Sequence, residues 1–186
     1  MLTQRILIIE DDQMFSKILE KKLSKLDVNI ATCYSVDDGI HLIEQLKPDL
    51  IISDFYFNDA SEKNGDSVLQ SLVEKKINTP ILYLSSEANS TIMNKMKNNG
   101  AIEFLRKSRE DIKQLIALCE NILSNINTKE MYKHVEKQLS LAFVLFSLPV
   151  LLLLLAGKEN WLPMYLVLLF TSLGISSLLL NKNLYS

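Results

Sequence analysis

Glu10-Asp11-Asp12 stops the apolar run Ile6–Ile9, and Asp54 closes a second run, Leu50–Ser53. Ser85-Ser86 ends a third, Ile81–Leu84, and Lys107 follows a fourth, Ile102–Leu105. If the runs are neighbouring parallel strands, these carboxylates converge at one sheet edge, where they raise one another's pKa unless a cation neutralises them. An all-oxygen cluster with open positions suits Mg²⁺, which binds through one or two carboxylates and keeps waters for a phosphate. With a hydroxyl and an ammonium added, the set can hold a phosphoryl group on one of its carboxylates. Taken singly, each residue is ordinary: an acidic turn, a capping serine, a surface lysine. Their arrival in order at one edge carries the reading.

The elements that would position them follow from periodicity. The runs Ile6–Ile9, Val28–Cys33, Leu50–Ser53, Ile81–Leu84 and Ile102–Leu105 have the length of strands buried on both faces, as in a parallel sheet. Between them lie stretches of helical spacing. Phe15, Ile18, Leu19, Leu23 and Leu26 form the stripe of the first; Ile40, Leu42, Ile43 and Leu46 that of the second, closed by Pro48. Val68, Leu69, Leu72 and Val73 mark the third, and Ile92, Met93 and Met96 the fourth, which stops at Asn99-Gly100. Ile112, Leu115, Ile116, Cys119, Ile122 and Leu123 mark the fifth. Five βα units predict an α/β fold with an open, doubly wound parallel sheet, working at the carboxyl ends of its strands.

The totals hide an asymmetry. The 186 residues are 48% hydrophobic with a formal net charge of -2, which gives no footprint for nucleic acid. Beyond Leu139, however, the charged residues are Lys158, Glu159 and Lys182 alone. Residues 139–156 and 161–180 carry no charge; 18 residues of helix reach ~27 Å, close to a bilayer core. They predict two transmembrane helices joined by a polar turn at 157–160, with Trp161, Tyr165 and Tyr185 at the interfaces. Residues 125–138 are expected to be a juxtamembrane helix or a linker, and 181–186 a tail. Lys129, Lys133, Lys137 and Lys182 flank the hairpin on one side, so the positive-inside rule places domain and tail in the cytoplasm, at the inner membrane. No secretory signal is read at the N-terminus, and Cys33 and Cys119 read as buried, reduced thiols.

Residues 4–124, within a domain spanning 1–124, resemble the receiver domain of the two-component response-regulator family. The resemblance lies in Ile6-Leu7-Ile8-Ile9-Glu10-Asp11-Asp12, Pro48-Asp49-Leu50-Ile51-Ile52-Ser53-Asp54, Thr79-Pro80-Ile81-Leu82-Tyr83-Leu84-Ser85-Ser86 and Asn99-Gly100-Ala101-Ile102-Glu103-Phe104-Leu105-Arg106-Lys107. It implies a flavodoxin-like fold with Asp54 as phosphoacceptor. Glu10, Asp11, Asp54 and the backbone carbonyl of Tyr56 would hold Mg²⁺, and Lys107 would contact the phosphoryl group. Ser85 would be the switch hydroxyl, and Phe104 the switch aromatic that rotates inward. Asp12 reads instead as a helix-start residue. The implied partner is a histidine kinase or phosphotransfer protein, and no separate substrate is turned over. Asn58 stands where the family usually has a proline, and Gly65 comes late, after the insert 59–64. Ser108 replaces the proline after the lysine, and a cis bond before a non-proline residue costs ~2.5–4 kcal/mol. The expected protein is thus a membrane-anchored receiver whose output is switched binding of a downstream protein rather than DNA binding. The alternative is an adaptor that recruits its partner regardless of phosphorylation.

Overall fold

The computed structural model describes residues 3–57, 64–86 and 90–155, of which 146 and 148–155 are described by backbone alone. The chain divides into two compact units, Met1–Thr128 and Lys129–Ser186. In the first, the strands are β1 (Arg5–Ile9), β2 (Asn29–Cys33), β3 (Leu50–Asp54), β4 (Ile81–Ser85) and β5 (Glu103–Arg106). They alternate with α1 (Gln13–Leu23), α2 (Val36–Leu46), α3 (Gly65–Glu74), α4 (Ser90–Asn98) and α5 (Arg109–Leu155). All pairings are parallel, in the order β2-β1-β3-β4-β5. The expected five-stranded, doubly wound sheet is present.

Local chemistry sets the helix boundaries. Asp12 caps α1, its carboxylate accepting from the amides of Met14 and Phe15; Ser35 caps α2 and Asn64 caps α3 in the same manner. Lys47 ends α2 in the left-handed region, and Gly100, with φ of 111°, ends α4 where a side chain would be strained. Among the described residues there is no cis peptide, so Lys107–Ser108 is trans.

The pleat sorts the core into two layers. Ile6, Ile8, Leu50, Ile52, Leu82, Leu84 and Leu105 face α1 and α5, packing on Leu19, Leu23, Leu115, Cys119 and Leu123. Leu7, Ile9, Ile51, Ile81, Tyr83 and Phe104 face α2, α3 and α4, packing on Val36, Ile43, Val68, Leu72 and Met96. One expectation changes: β2 is not buried on both faces, since four of its five residues are exposed or half-exposed. As an edge strand, it has one neighbour, and its outer flank meets water. Both cysteines are free and buried, and burial pushes each thiol up to about 12.

Helix α5 continues through residues 125–138. In the second unit its side chains Met131, Tyr132, Leu139, Leu141, Phe143, Val144 and Leu145 are exposed. Among the described residues no helix is long and apolar enough to cross a membrane. Residues 156–186, which include the expected turn at 157–160, the run 161–180 and the tail, lie outside the described residues. So do Asn58 and residues 59–63 of the insert after Asp54.

Candidate functional site

The alternation that builds the core also builds the site. Glu10 continues the Ile6, Ile8 face of β1, Asp54 continues the Leu50, Ile52 face of β3, and Lys107 continues the face of Leu105. The ladder carries one residue past two strand ends, through Glu10 N–H to the Cys33 carbonyl at 3.0 Å and Lys107 N–H to the Ser85 carbonyl at 2.8 Å. All three side chains therefore emerge on the α1/α5 side of the sheet's carboxyl edge. There they meet. The Lys107 ammonium donates to Glu10 Oε1 at 2.8 Å and to Asp54 Oδ2 at 2.7 Å, although 97 and 53 residues separate the partners in sequence.

Both acids are deeply buried, Glu10 at 1% and Asp54 at 4% exposure. Burial, and secondarily the nearby Asp54 charge, pushes Glu10 up to about 7 against the pull of Lys107. Burial likewise raises Asp54 above its usual range, opposed by Lys107 and by the amides of Tyr56 and Phe55. Those amides donate to Asp54 Oδ1 at 3.3 and 2.6 Å. Burial works against the charged form of Lys107, but its bonds to the two carboxylates outweigh it and hold the ammonium above its ordinary value. One lysine thus faces two buried acids and leaves the pocket short of positive charge.

Two observations test whether a divalent cation fits. Carboxylate oxygens of Glu10, Asp11 and Asp54 lie within 4.8 Å of one another. Glu10 Oε2 is buried and accepts no hydrogen bond from the described residues, the kind of orphan that an ion satisfies. Mg²⁺, with bonds of ~2.1 Å to hard oxygens, suits such a donor set. Tyr56, whose carbonyl was expected as a further ligand, is half-buried beside the pocket, its amide already turned to Asp54.

The remaining expected residues lie on the opposite side of the sheet. Ser85 is fully buried at the end of β4 and follows the pleat of Tyr83. Phe104 is 2% exposed, its ring 5.4 Å from Phe55 and 6.0 Å from Tyr83. It is already inside, so an inward rotation of this ring does not start from the conformation described. Three further residues matter whose roles the sequence did not reveal. Tyr83, fully buried, donates its hydroxyl to the Gly65 carbonyl at 2.6 Å. Gly65 itself is so close to the sheet that a Cβ would sit 2.7 Å from the Tyr83 ring and 3.0 Å from the Asp54 carbonyl oxygen. Phe15 places its ring centroid 4.9 Å from Lys107 Nζ. Tyr83 and Phe15 read as plain core residues because nothing in their spacing separates them from their neighbours. The lateness of Gly65 was a visible signal.

Residues 6–120 match the family described as the response regulator receiver domain. The cell cycle transcriptional regulator CtrA of Caulobacter vibrioides is 33% identical over 103 residues, 55% of this chain and 43% of that protein. The Regulator of RpoS of Escherichia coli is 28% identical over 112 residues, 60% of this chain and 32% of that protein. The chain thus spans less than half the length of these curated relatives. A two-component response regulator from Clostridium difficile superimposes with a TM-score of 0.60 at 23% identity, over 67% of this chain and 99% of that one, a likeness of fold.

Proposed function

The chain belongs to the response regulator receiver domain family, and from that premise we propose that it accepts a phosphoryl group on Asp54 from a phosphohistidine of a kinase or phosphotransfer protein. The observation that carries this reading is Lys107 bridging Asp54 and Glu10 beside an unsatisfied Glu10 oxygen, with Asp11 in reach. An Asp54 carboxylate oxygen attacks phosphorus, the P–N bond breaks, and its electron pair leaves with the imidazole nitrogen of the donor. Glu10, Asp11 and Asp54 would hold Mg²⁺, with the Tyr56 carbonyl as a further ligand; the ion, when bound, offsets negative charge on the carboxylates and phosphoryl oxygens. Lys107 neutralises charge at the same point. The Phe55 and Tyr56 amides hold Asp54 Oδ1 and so orient the carboxylate for attack. Ser85, fully buried at the end of β4 on the other side of the sheet, would have to move in to bond the new phosphoryl oxygens, and no separate substrate is turned over.

The output is switched binding of a protein at a membrane. Support comes from the uncharged runs 139–156 and 161–180, with Lys129, Lys133, Lys137 and Lys182 as their cytoplasmic flank. Radiolabelled acetyl phosphate with Mg²⁺ should label the protein, chelation should stop it, and Asp54→Asn should abolish it; label persisting in that variant overturns the site. Alkaline carbonate should leave the full chain in the membrane pellet, and release into the supernatant overturns the anchor. Equal recovery of a partner by wild type and Asp54→Asn membranes would favour the adaptor instead.

A further inference from the structure

The Lys107 ammonium has three N–H donors, and the acceptors of its two hydrogen bonds to Glu10 and Asp54 are both reactive groups of the site. The ring of Phe15 also lies beside it, 4.9 Å from Nζ to centroid, within the ~6 Å over which an aromatic face attracts a cation. We propose that Phe15 is a positioning residue for phosphoryl transfer, its ring keeping the Lys107 ammonium at the pocket when Glu10 and Asp54 become engaged with a cation and a phosphoryl group. This inference rests on the reading of Asp54 as the phosphoacceptor.

Lysine is a point charge on a flexible four-carbon stem, so its location depends on what holds the head group. Here the two carboxylates that hold it are the groups whose bonding must change during the reaction. The ring is a neighbour that the reaction leaves alone. It carries no charge, does not titrate, and offers no lone pair that would hold the ammonium back from a phosphoryl oxygen. Its location is built in. Asp12 Oδ1 accepts from the Phe15 amide at 3.1 Å, while the Asp12 amide donates to Glu10 Oε1 at 3.3 Å. The capping turn that presents Glu10 therefore also presents Phe15, whose ring is half-buried against the α1/α5 layer of the core. An aliphatic side chain would fill the same space without the negative face that attracts the ammonium.

The test uses the full chain in detergent and the initial rate of Asp54 labelling by acetyl phosphate at saturating Mg²⁺. Phe15→Leu should lower the rate about three- to tenfold, and Phe15→Tyr should stay within about twofold of wild type. In a Lys107→Met background, Phe15→Leu should cause no further loss, because the ring acts through that ammonium. A second readout needs no turnover: the Lys107 ε-methylene protons should resonate upfield under the ring, keep that shift when Mg²⁺ is added, and lose it in Phe15→Leu. Phe15→Met serves as the ring-less variant if Phe15→Leu does not fold. The proposal is overturned by wild-type labelling in the ring-less variant, by equal losses with and without Lys107, or by disappearance of the upfield shift on adding Mg²⁺. Failure of the parent reading has a different signature, namely no label on wild type or undiminished label on Asp54→Asn.

Discussion

Replacing Gly65 by alanine is the sharpest probe of how the pocket is walled. The added Cβ would lie 2.7 Å from Tyr83 Cε1, 3.0 Å from the Asp54 carbonyl oxygen and 3.1 Å from Phe55 Cα. Carbon pairs sit comfortably at about 3.5–4.0 Å, so close to 1 Å of room must be found. Neither neighbour can easily give it. Tyr83 is fully buried, hydrogen-bonded through its hydroxyl to Gly65 itself, and packed edge-on against Phe55. The Asp54–Phe55 backbone is held by the ladder, with Phe55 N–H on the Leu84 carbonyl at 2.9 Å. Overpacking of this kind costs about 1–3 kcal/mol, and rigid backbone on one side puts the expectation at about 2–3 kcal/mol. Alanine's helix propensity recovers at most about 1 kcal/mol of that, and little in the first turn of α3. Gly39→Ala is the control. There the Cβ would meet the buried Ile9 side chain, Cδ1 at 2.6 Å, Cγ2 at 3.0 Å and Cγ1 at 3.1 Å, with no backbone atom among its three nearest, and it stands inside helix α2, where propensity favours alanine. Overpacking against Ile9, offset by about 1 kcal/mol of helix propensity, should leave a net cost of about 1–2 kcal/mol, less than at Gly65. Urea unfolding of residues 1–128, followed by circular dichroism, measures both. Because the clash reaches the Asp54 carbonyl, Gly65→Ala should also slow labelling by about tenfold or more. A Gly65→Ala protein within about 0.5 kcal/mol of wild type, or a Gly39→Ala protein that is the less stable of the two, refutes the reasoning.

Stability of the metal-free domain should fall as pH rises from about 4.5 to 7, because folded Glu10 binds its proton up to about 7 and the unfolded residue releases it near 4.5. The full shift corresponds to about 3 kcal/mol. Asp54, also raised, acts in the same sense. Glu10→Gln should flatten this slope and make the metal-free protein the more stable one at pH 8; an unchanged slope in pH-dependent urea titrations counts against the burial argument. Tyr83→Phe leaves the Gly65 carbonyl without its 2.6 Å donor and should cost about 1–2 kcal/mol in the same assay. Mg²⁺ at about 100 times its dissociation constant should stabilise the wild type by about 2.7 kcal/mol. A thermal-shift titration should show that gain shrinking in Glu10→Gln, and an equal gain in both proteins removes Glu10 from the ligand set.

Much of the receiver was legible before any coordinates. Apolar runs of strand length, separated by stripes at helical spacing, specify five βα units, because burial demands periods of 2 and 3.6 from any sequence. Acids stop the first and third runs, serines the fourth and a lysine the fifth. Right-handed crossovers then bring strand ends to one edge, so Glu10, Asp54 and Lys107 could be grouped from chain order alone. Periodicity did not show that β2 would be half-exposed, since its composition resembles a central strand and its place at the edge follows from the pairing order. Nor did it separate the lysine and acids on the α1/α5 side from Ser85 and Phe104 on the other; that division depends on where each pleat starts. Phe15 and Tyr83 went unnoticed because an aromatic residue in a stripe looks the same whether it meets another hydrophobe, an ammonium or a carbonyl. Gly65 looked displaced in the loop, yet its use is steric and lies in the approach of α3 to β3. Residue type and local spacing determined the elements and the chemical groups available. Which groups touch was decided by tertiary packing, because contacts such as Lys107 with Glu10 span 97 residues, and their distances depend on every strand pairing and helix layer between them.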